Sequence, residues 1–495
     1  MGNTFSTRKP DTEETRVKST PLGDASLSGL SIVCLLPRAT SQETVNMDKT
    51  AERLVSFTTS LCFDDLKSDV LHAIKQRFID TIGCALGAFY AESSGIARKI
   101  ALLVASSPGA GIIGTRERSS PELAAFANTA MIRCLDLNDD YFGKDGPHPS
   151  DNIGAILAAA DSVHADGRSF LTAVAVAYEI LCTFADAVGL RERGWDYVCF
   201  TALSAALGAA KVLRLPDEKI RQCLRLAAIS NGALGQTRLG ELSMWKGLAS
   251  ANACRNGVFA CMLAGEGVTG PDLPFEGKEG LIAQISGSLD LSALGASPLR
   301  AGIVYLKSWP VFYSAQASVQ AALALREKIA TDEIENITVE TYKRVLGRGA
   351  SDPERWAPKS RETADHSVPF CVAAALLDGA ITPDTFDTKR FLDPDIVQLM
   401  KKIHLHEDPE FTNQYPDVWN CRITAVTSSG TRHQAHISHP KGHPKDPFTD
   451  KEVEDKFIRL VEPVLGLDRC RSFLDFAWRL EEVEDIGGIF ELLVV

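Results

Sequence analysis

The chain has 495 residues, more than one hydrophobic core usually organises, so two domains are expected. Hydrophobic residues make up 45% and charged residues 23%, the balance of an ordinary globular protein, which excludes a disordered or fibrous chain. The formal net charge of −12 argues against nucleic-acid or anionic-membrane partners, yet a few local cations could still hold a small acidic ligand.

Residues 1–46 stand apart. Positions 6–28 are rich in Ser, Thr, Lys, Arg, Asp and Glu without a helical period, so a disordered extension is expected. Its Met-Gly-Asn-Thr-Phe-Ser start fits an acylation pattern with Gly2 as acceptor, which would give a weak lipid anchor. Asp11, Glu13 and Glu14 weaken a mitochondrial transit reading. Folded sequence is expected from Met47.

From there to about residue 303 the pattern predicts helix after helix. Ser68 is placed to cap a helix carrying Leu71, Ile74, Phe78, Ile82 and Leu86 at the 3.6-residue period. Ser120-Pro121-Glu122 starts a second, Ala-rich and buried, and Ser150-Asp151 a third through Ile153, Ile156 and Leu157. Small residues at 171–178, 202–210 and 249–264 permit close helix packing. No apolar run reaches about 18 residues, so no membrane span is expected; Phe170–Leu190 carries Glu179 and Asp186 and reads as a core helix.

After Lys307 the period changes. Asn336–Tyr342 alternates as a strand, and 421–427 with 431–437 reads as a hairpin around Gly430, with helices at 315–328 and 367–378. The expected architecture is mainly α: a large all-helical domain (47–303, completed by 446–495) and a smaller α+β lid domain (304–445).

The twelve cysteines, from Cys34 to Cys470, form no C-x-x-C pair. Zinc ribbons and iron–sulfur sites need closely spaced thiolates, so buried free thiols in an intracellular compartment, cytoplasmic or mitochondrial, are expected instead. His433, His436, His439 and His443 fall on opposite strand faces or among prolines, which suits no zinc site. No phosphate loop, dinucleotide fingerprint or nucleophile elbow is present, so no cofactor is expected.

Chemistry concentrates in Arg133-Cys-Leu-Asp-Leu-Asn-Asp-Asp-Tyr141 and His148-Pro-Ser-Asp-Asn152, which join two buried helices. Asp136 and Asp140 would share a face if the helix persists. His148 lies beside the free N–H groups of the next helix, either a carboxylate site with an acid–base side chain or a merely capped loop. Lys246 interrupts an apolar stretch and either snorkels outward or meets an anion, with Asn252 and Arg255 placed to share it. Lys307 sits where the helical part gives way to the α+β part, the kind of junction that binds ligands. Asp365 and His366 precede a helix that Asp365 or Ser367 could cap.

Taken together these segments resemble the MmgE/PrpD family of 2-methylcitrate dehydratases and cis-aconitate decarboxylases. The matching pieces are Asp80–Gly87, Leu135–Asp139 with His148–Asn152, Lys246 with Asn252–Gly257, Lys307–Pro310, Arg361–Ser367 and Ala374–Gly379, in order over about residues 50–490. The resemblance implies a homodimer, a cleft between two domains, and a small polycarboxylate substrate. It also implies catalytic roles for Asp136, His148, Lys246 and Lys307, with His148 transferring the proton, Asp136 orienting it and the lysines clamping carboxylates. Asp140, Tyr197, Asn252, Arg255, Tyr313 and His366 complete the expected substrate-binding set. Tyr197, Phe312 and Tyr313 stand where many relatives have histidines, and Asp140 where threonine is common. The implied activity is dehydration of a 2-methylcitrate- or alkylcitrate-like acid without metal; alternatives are decarboxylation of a cis-aconitate-like acid, a catalytically inactive binding subunit, or a zinc hydrolase using the late histidines.

Overall fold

The computed structural model describes residues 47–107 and 109–495; the extension read from residues 1–46 lies outside them. Amphipathic and Ala-rich segments build its first part as α1 (Lys49–Ser60), α2 (Ser68–Gly87), α3 (Glu92–Ala101), α4 (Pro121–Cys134), α5 (Asp151–Ser162), α6 (Gly167–Ala187), α7 (Val198–Val212), α8 (Asp217–Ser230) and α9 (Trp245–Glu266). A two-residue pair, β1 (Ala110–Gly111) and β2 (Arg118–Ser119), interrupts the series. Small residues set the helix spacing: a Cβ on Gly154 of α5 would stand 2.4 Å from Thr129 Oγ1 of α4, and one on Gly257 of α9 would stand 2.8 Å from the Ala202 carbonyl of α7. Helix α6 is long and apolar enough to cross a membrane, but it is buried in this core, as the sequence reading expected.

Two helix starts differ from expectation. Ser68 is the first helical residue, the cap position falling to Lys67. Ser120 holds the cap position without bonding the backbone; its hydroxyl donates to Glu122 Oε1 at 2.7 Å instead.

A second hydrophobic core gathers α10 (Gln316–Arg326) and α13 (Val368–Asp378) on a four-stranded sheet, with the short helices α11 (Lys343–Gly349) and α12 (Arg361–Ala364) beside it. The sheet order is β4 (Ile403–Glu407), β3 (Ile334–Thr341), β5 (Cys421–Thr427), β6 (Arg432–Ile437); β3 and β4 run parallel and the other pairs antiparallel. Buried Ile337, Val339, Ile423 and Ala425 alternate with less buried neighbours, as period-two patterning requires. The hairpin and β3 follow the sequence reading. Strand β4 does not appear in it, because only Ile403 of its five residues is buried.

The tail returns to the first core. Thr449 and Glu452 form a capping box, and Val453, Phe457, Leu460 and Val461 pack with the residues of α2. Among them Lys456 is buried: its Nζ pairs with Asp80 Oδ1 at 2.5 Å and donates to the Leu137 carbonyl at 3.0 Å. The tail thereby pins the loop after α4. Removing one partner of a buried ion pair strands the other, so Lys456→Met is expected to cost about 3–5 kcal/mol in denaturant unfolding. Asp80→Asn in the same background should recover part of it, and a loss below about 1 kcal/mol would show that Asp80 does not depend on this cation.

Candidate active site

Helix α4 stops at Cys134, and Asp136 turns the chain back with a left-handed φ of 50°. Asp136 and Asp140 therefore do not share a helix face; the turn and a main-chain ladder bring them together. Asp140 N donates to the Tyr305 carbonyl at 2.9 Å and Tyr305 N to the Asp140 carbonyl at 2.8 Å, which fixes the loop against the strand-like segment bearing Lys307.

Asp136 is the hub of a buried charge lattice. Its Oδ1 accepts from Arg133 Nη1 at 2.5 Å and Lys307 Nζ at 3.0 Å, and its Oδ2 from Lys246 Nζ at 3.2 Å. Burial alone would raise its pKa, but the charges of Arg133, Lys246 and Lys307 outweigh that and hold the carboxyl well below the usual range. Lys246 also donates to both Asp365 oxygens at 3.2 Å, and Asp365 accepts from His366 Nδ1. Asp365 is thus a lattice member; the cap of α13 is made by Ser367, which accepts from Phe370 N at 3.1 Å.

His148 and His366 line one cavity of about 110 Å³ together with Asp136, Asp140, Lys307 and Tyr197. His148 Nδ1 donates to the Asp139 carbonyl at 2.6 Å, so Nε2 is the acceptor of Arg133 Nη2 at 2.7 Å. Burial and the Arg133 and Lys307 charges keep this ring neutral. Orientation of His148 comes from the Asp139 main chain and Arg133 rather than from Asp136. His366 is neutral as well, pushed down to about 3 by burial and Lys246. Its Nδ1 is committed to Asp365, its ring stacks on Phe312 with centroids 5.0 Å apart, and among the described residues its Nε2 has no partner. Burial pushes Asp140 up to about 8, opposed by Lys307 and reinforced by Asp136. At pH 7 it is a neutral acid, 3.7 Å from both His148 Nδ1 and Lys307 Nζ.

Some expected residues take other places. The N-terminus of α5 is not an open carboxylate site, because Asp139 Oδ1 already accepts from Ser150 N at 2.9 Å and from its hydroxyl at 2.5 Å. Lys246 is buried behind the cavity wall with its ammonium turned to Asp136 and Asp365. Asn252 and Arg255 lie on α9 away from the cavity lining, and Arg255 donates to its neighbour Asn256 at 2.9 Å. Tyr197 and Tyr313 do line the cavity, each with a buried hydroxyl that has no partner among the described residues. Sequence reasoning missed Arg133 and Arg238 as site residues. An arginine inside the Ala-rich run of α4 was a readable signal for the first. Arg238, in an irregular turn, offers none; it pairs with Asp196 at 2.7 Å and lies over the Tyr197 ring.

Among the described residues, Asp136, Asp365 and His366 have metal-ligating atoms within 4.8 Å of one another, and the late histidines join no such cluster. The Lys246 ammonium stands 3.2 Å from both carboxylates, so the charge a metal would bring there is already supplied by the chain.

Residues 52–293 match the MmgE/PrpD N-terminal domain and residues 309–482 the MmgE/PrpD C-terminal domain. The chain belongs to the MmgE/PrpD family. It is 28% identical over 400 residues to 2-methylcitrate dehydratase of Escherichia coli (strain K12), covering 74% of this chain and 80% of that protein. The same enzyme of Cupriavidus necator is 28% identical over 417 residues, covering 77% and 83%. Cis-aconitate decarboxylase of Homo sapiens is 25% identical over 444 residues, covering 86% and 91%.

The His148 environment makes a prediction independent of substrate. Nitrogen NMR of histidine-labelled protein, assigned with His148→Gln, should show a neutral ring protonated on Nδ1 at pH 6. A doubly protonated ring at that pH would contradict the Arg133 bond.

Proposed function

We propose that the chain dehydrates a 2-methylcitrate- or alkylcitrate-like tricarboxylate to the corresponding aconitate without a metal. The carrying observation is that the cavity holds a neutral base and a neutral acid at once, His366 and Asp140, beside a cationic wall. Dehydration needs a proton removed next to a carboxylate and a hydroxide expelled as water. His366 Nε2, oriented by Asp365 through Nδ1, takes the proton, and Asp140 gives one to the leaving hydroxyl. Arg133, Arg238 and Lys307 face the developing dianion from largely buried positions, where fixed charge acts strongly. Lys246 acts through Asp136 and Asp365, which it holds in place. His148 borders Asp140 and fixes Arg133, so it positions both the acid and the cation.

Decarboxylation of a cis-aconitate-like acid would use the cations and a proton donor but no base. The pairing of His366 with Asp365 therefore favours dehydration. A catalytically inactive subunit is disfavoured by the presence of an acid, a base and cations around one cavity. Support for pairing with a second copy comes from the apolar side chains exposed on α3 and α9, Ile96, Ile100, Trp245 and Phe259, on two helices that both pack against α4 around Ala130.

Product analysis by mass spectrometry on alkylcitrates and cis-aconitate is expected to show loss of water, undiminished after chelation; loss of carbon dioxide, or activity restored only by added metal, would replace this reading. His366→Gln should lower turnover by about a hundred- to ten-thousand-fold while leaving substrate binding. A full rate in that variant, with activity abolished in His148→Gln, would transfer the base to His148.

The pH dependence follows from Asp140. Its folded pKa, about 8, lies above the ordinary 3.8, so the folded state keeps a proton that the unfolded chain has released. Stability therefore falls as pH rises across that window, and kcat falls as pH rises through about 8. Asp140→Asn should lose most activity and remove the alkaline limb from whatever remains.

A further inference from the structure

The cavity contains more positive charge than the reaction just described uses. Arg191, in the exposed turn after α6, and Arg348, on α11, both line it, and Arg344 lies one helical turn before Arg348. Arg133 and Arg238 each have a carboxylate partner, at 2.5 Å and 2.7 Å. None of these three does: among the described residues neither Arg191, Arg344 nor Arg348 forms an ion pair. Arg344 Nε and Nη2 are buried without a hydrogen-bond acceptor among the described residues. Phe142 and Tyr415 offer Arg344 only ring faces, with centroids 5.6 Å and 5.8 Å away. Gly146, which lines the cavity, stands beside Arg344: a Cβ there would meet Nη2 at 3.5 Å, an ordinary contact distance.

The guanidinium groups of Arg344 and Arg348, half-buried, and of Arg191, exposed, repel one another with no paired carboxylate between them. Burial, then the charges of Arg344 and Arg191, drive Arg348 down to about 9. Asp145, the acid that acts most on Arg348, spends its oxygens on the backbone N–H groups of Gly146 and Leu190. Such a cluster gains only when an anion enters, and two adjacent arginine forks suit a planar carboxylate.

We propose that Arg191, Arg344 and Arg348 form a second anion subsite, which takes one carboxylate of the tricarboxylate while Arg133, Arg238 and Lys307 hold the reacting end. This rests on the polycarboxylate reading above and deepens it: the site selects tricarboxylates over dicarboxylates of similar length. Two inert ligands separate these statements, propane-1,2,3-tricarboxylate and glutarate, titrated calorimetrically at one fixed ionic strength into wild-type protein and Arg348→Gln. The wild type should bind the tricarboxylate at least ten-fold more tightly. Arg348→Gln should lose about that factor for the tricarboxylate and change glutarate less than two-fold, with a Tm equal to or above wild type because a like-charge contact has gone. Equal losses for both ligands, an unchanged tricarboxylate affinity, or a lowered Tm would each overturn the subsite. If the wild type binds neither ligand, the polycarboxylate reading falls with it. If it binds the tricarboxylate and Arg348→Gln binds it equally well, only the subsite falls.

Discussion

Asp136 sets the terms for the rest of the site. One carboxylate, fully buried, is kept charged by three cations that are themselves buried, Arg133, Lys246 and Lys307. None of the four could be left alone at that depth without a penalty of several kcal/mol. The lattice is therefore mutually required, and its geometry reaches outward: Arg133 fixes the His148 ring, Lys246 fixes Asp365 and so His366, and Lys307 stands by Asp140. Both imidazoles are neutral because burial and the lattice cations act together, whereas Asp140 is protonated because burial outweighs Lys307 and Arg133. The chemistry of the cavity is a by-product of holding the lattice closed.

The lattice also joins the two hydrophobic cores. Arg133, Asp136 and Lys246 belong to the helical part, Asp365 and His366 to the segment leading into α13, and Lys307 to the connection between them. Neither core alone presents a complete set of charges. Tyr197 and Tyr313, whose hydroxyls lack partners among the described residues, show the same division: one comes from a small cluster between α7 and α9, the other from the second core, around a single cavity.

Much of this was legible in the chain itself. Ala-rich helices, the alternating strand and the hairpin follow from local periodicity, and the ordered motifs around Asp136, His148, Lys246 and Lys307 carried the family. What local pattern cannot carry is direction. Lys246 looked free to reach a substrate, but Asp365, 119 residues away, claims its ammonium. Asn252 and Arg255 follow Lys246 along α9, yet a helix rotates successive side chains and takes them off the cavity wall. The N-terminus of α5 looked open until Asp139 filled it. Arg344 and Arg348 stand four residues apart on α11, but nothing in sequence says that the nearby Asp145 spends its oxygens on backbone N–H groups instead of pairing with them.

One further consequence concerns position 140. Its place is set by two main-chain hydrogen bonds to Tyr305, in which the side chain has no part. The loop is held like a hook whose hanging object can be exchanged. A threonine there would offer a hydroxyl of nearly fixed protonation, whereas Asp140 offers a proton that leaves near pH 8. Changing this one residue retunes the acidity of the cavity and leaves its framework standing, so the chemistry of the loop can be altered without altering the hold that places it.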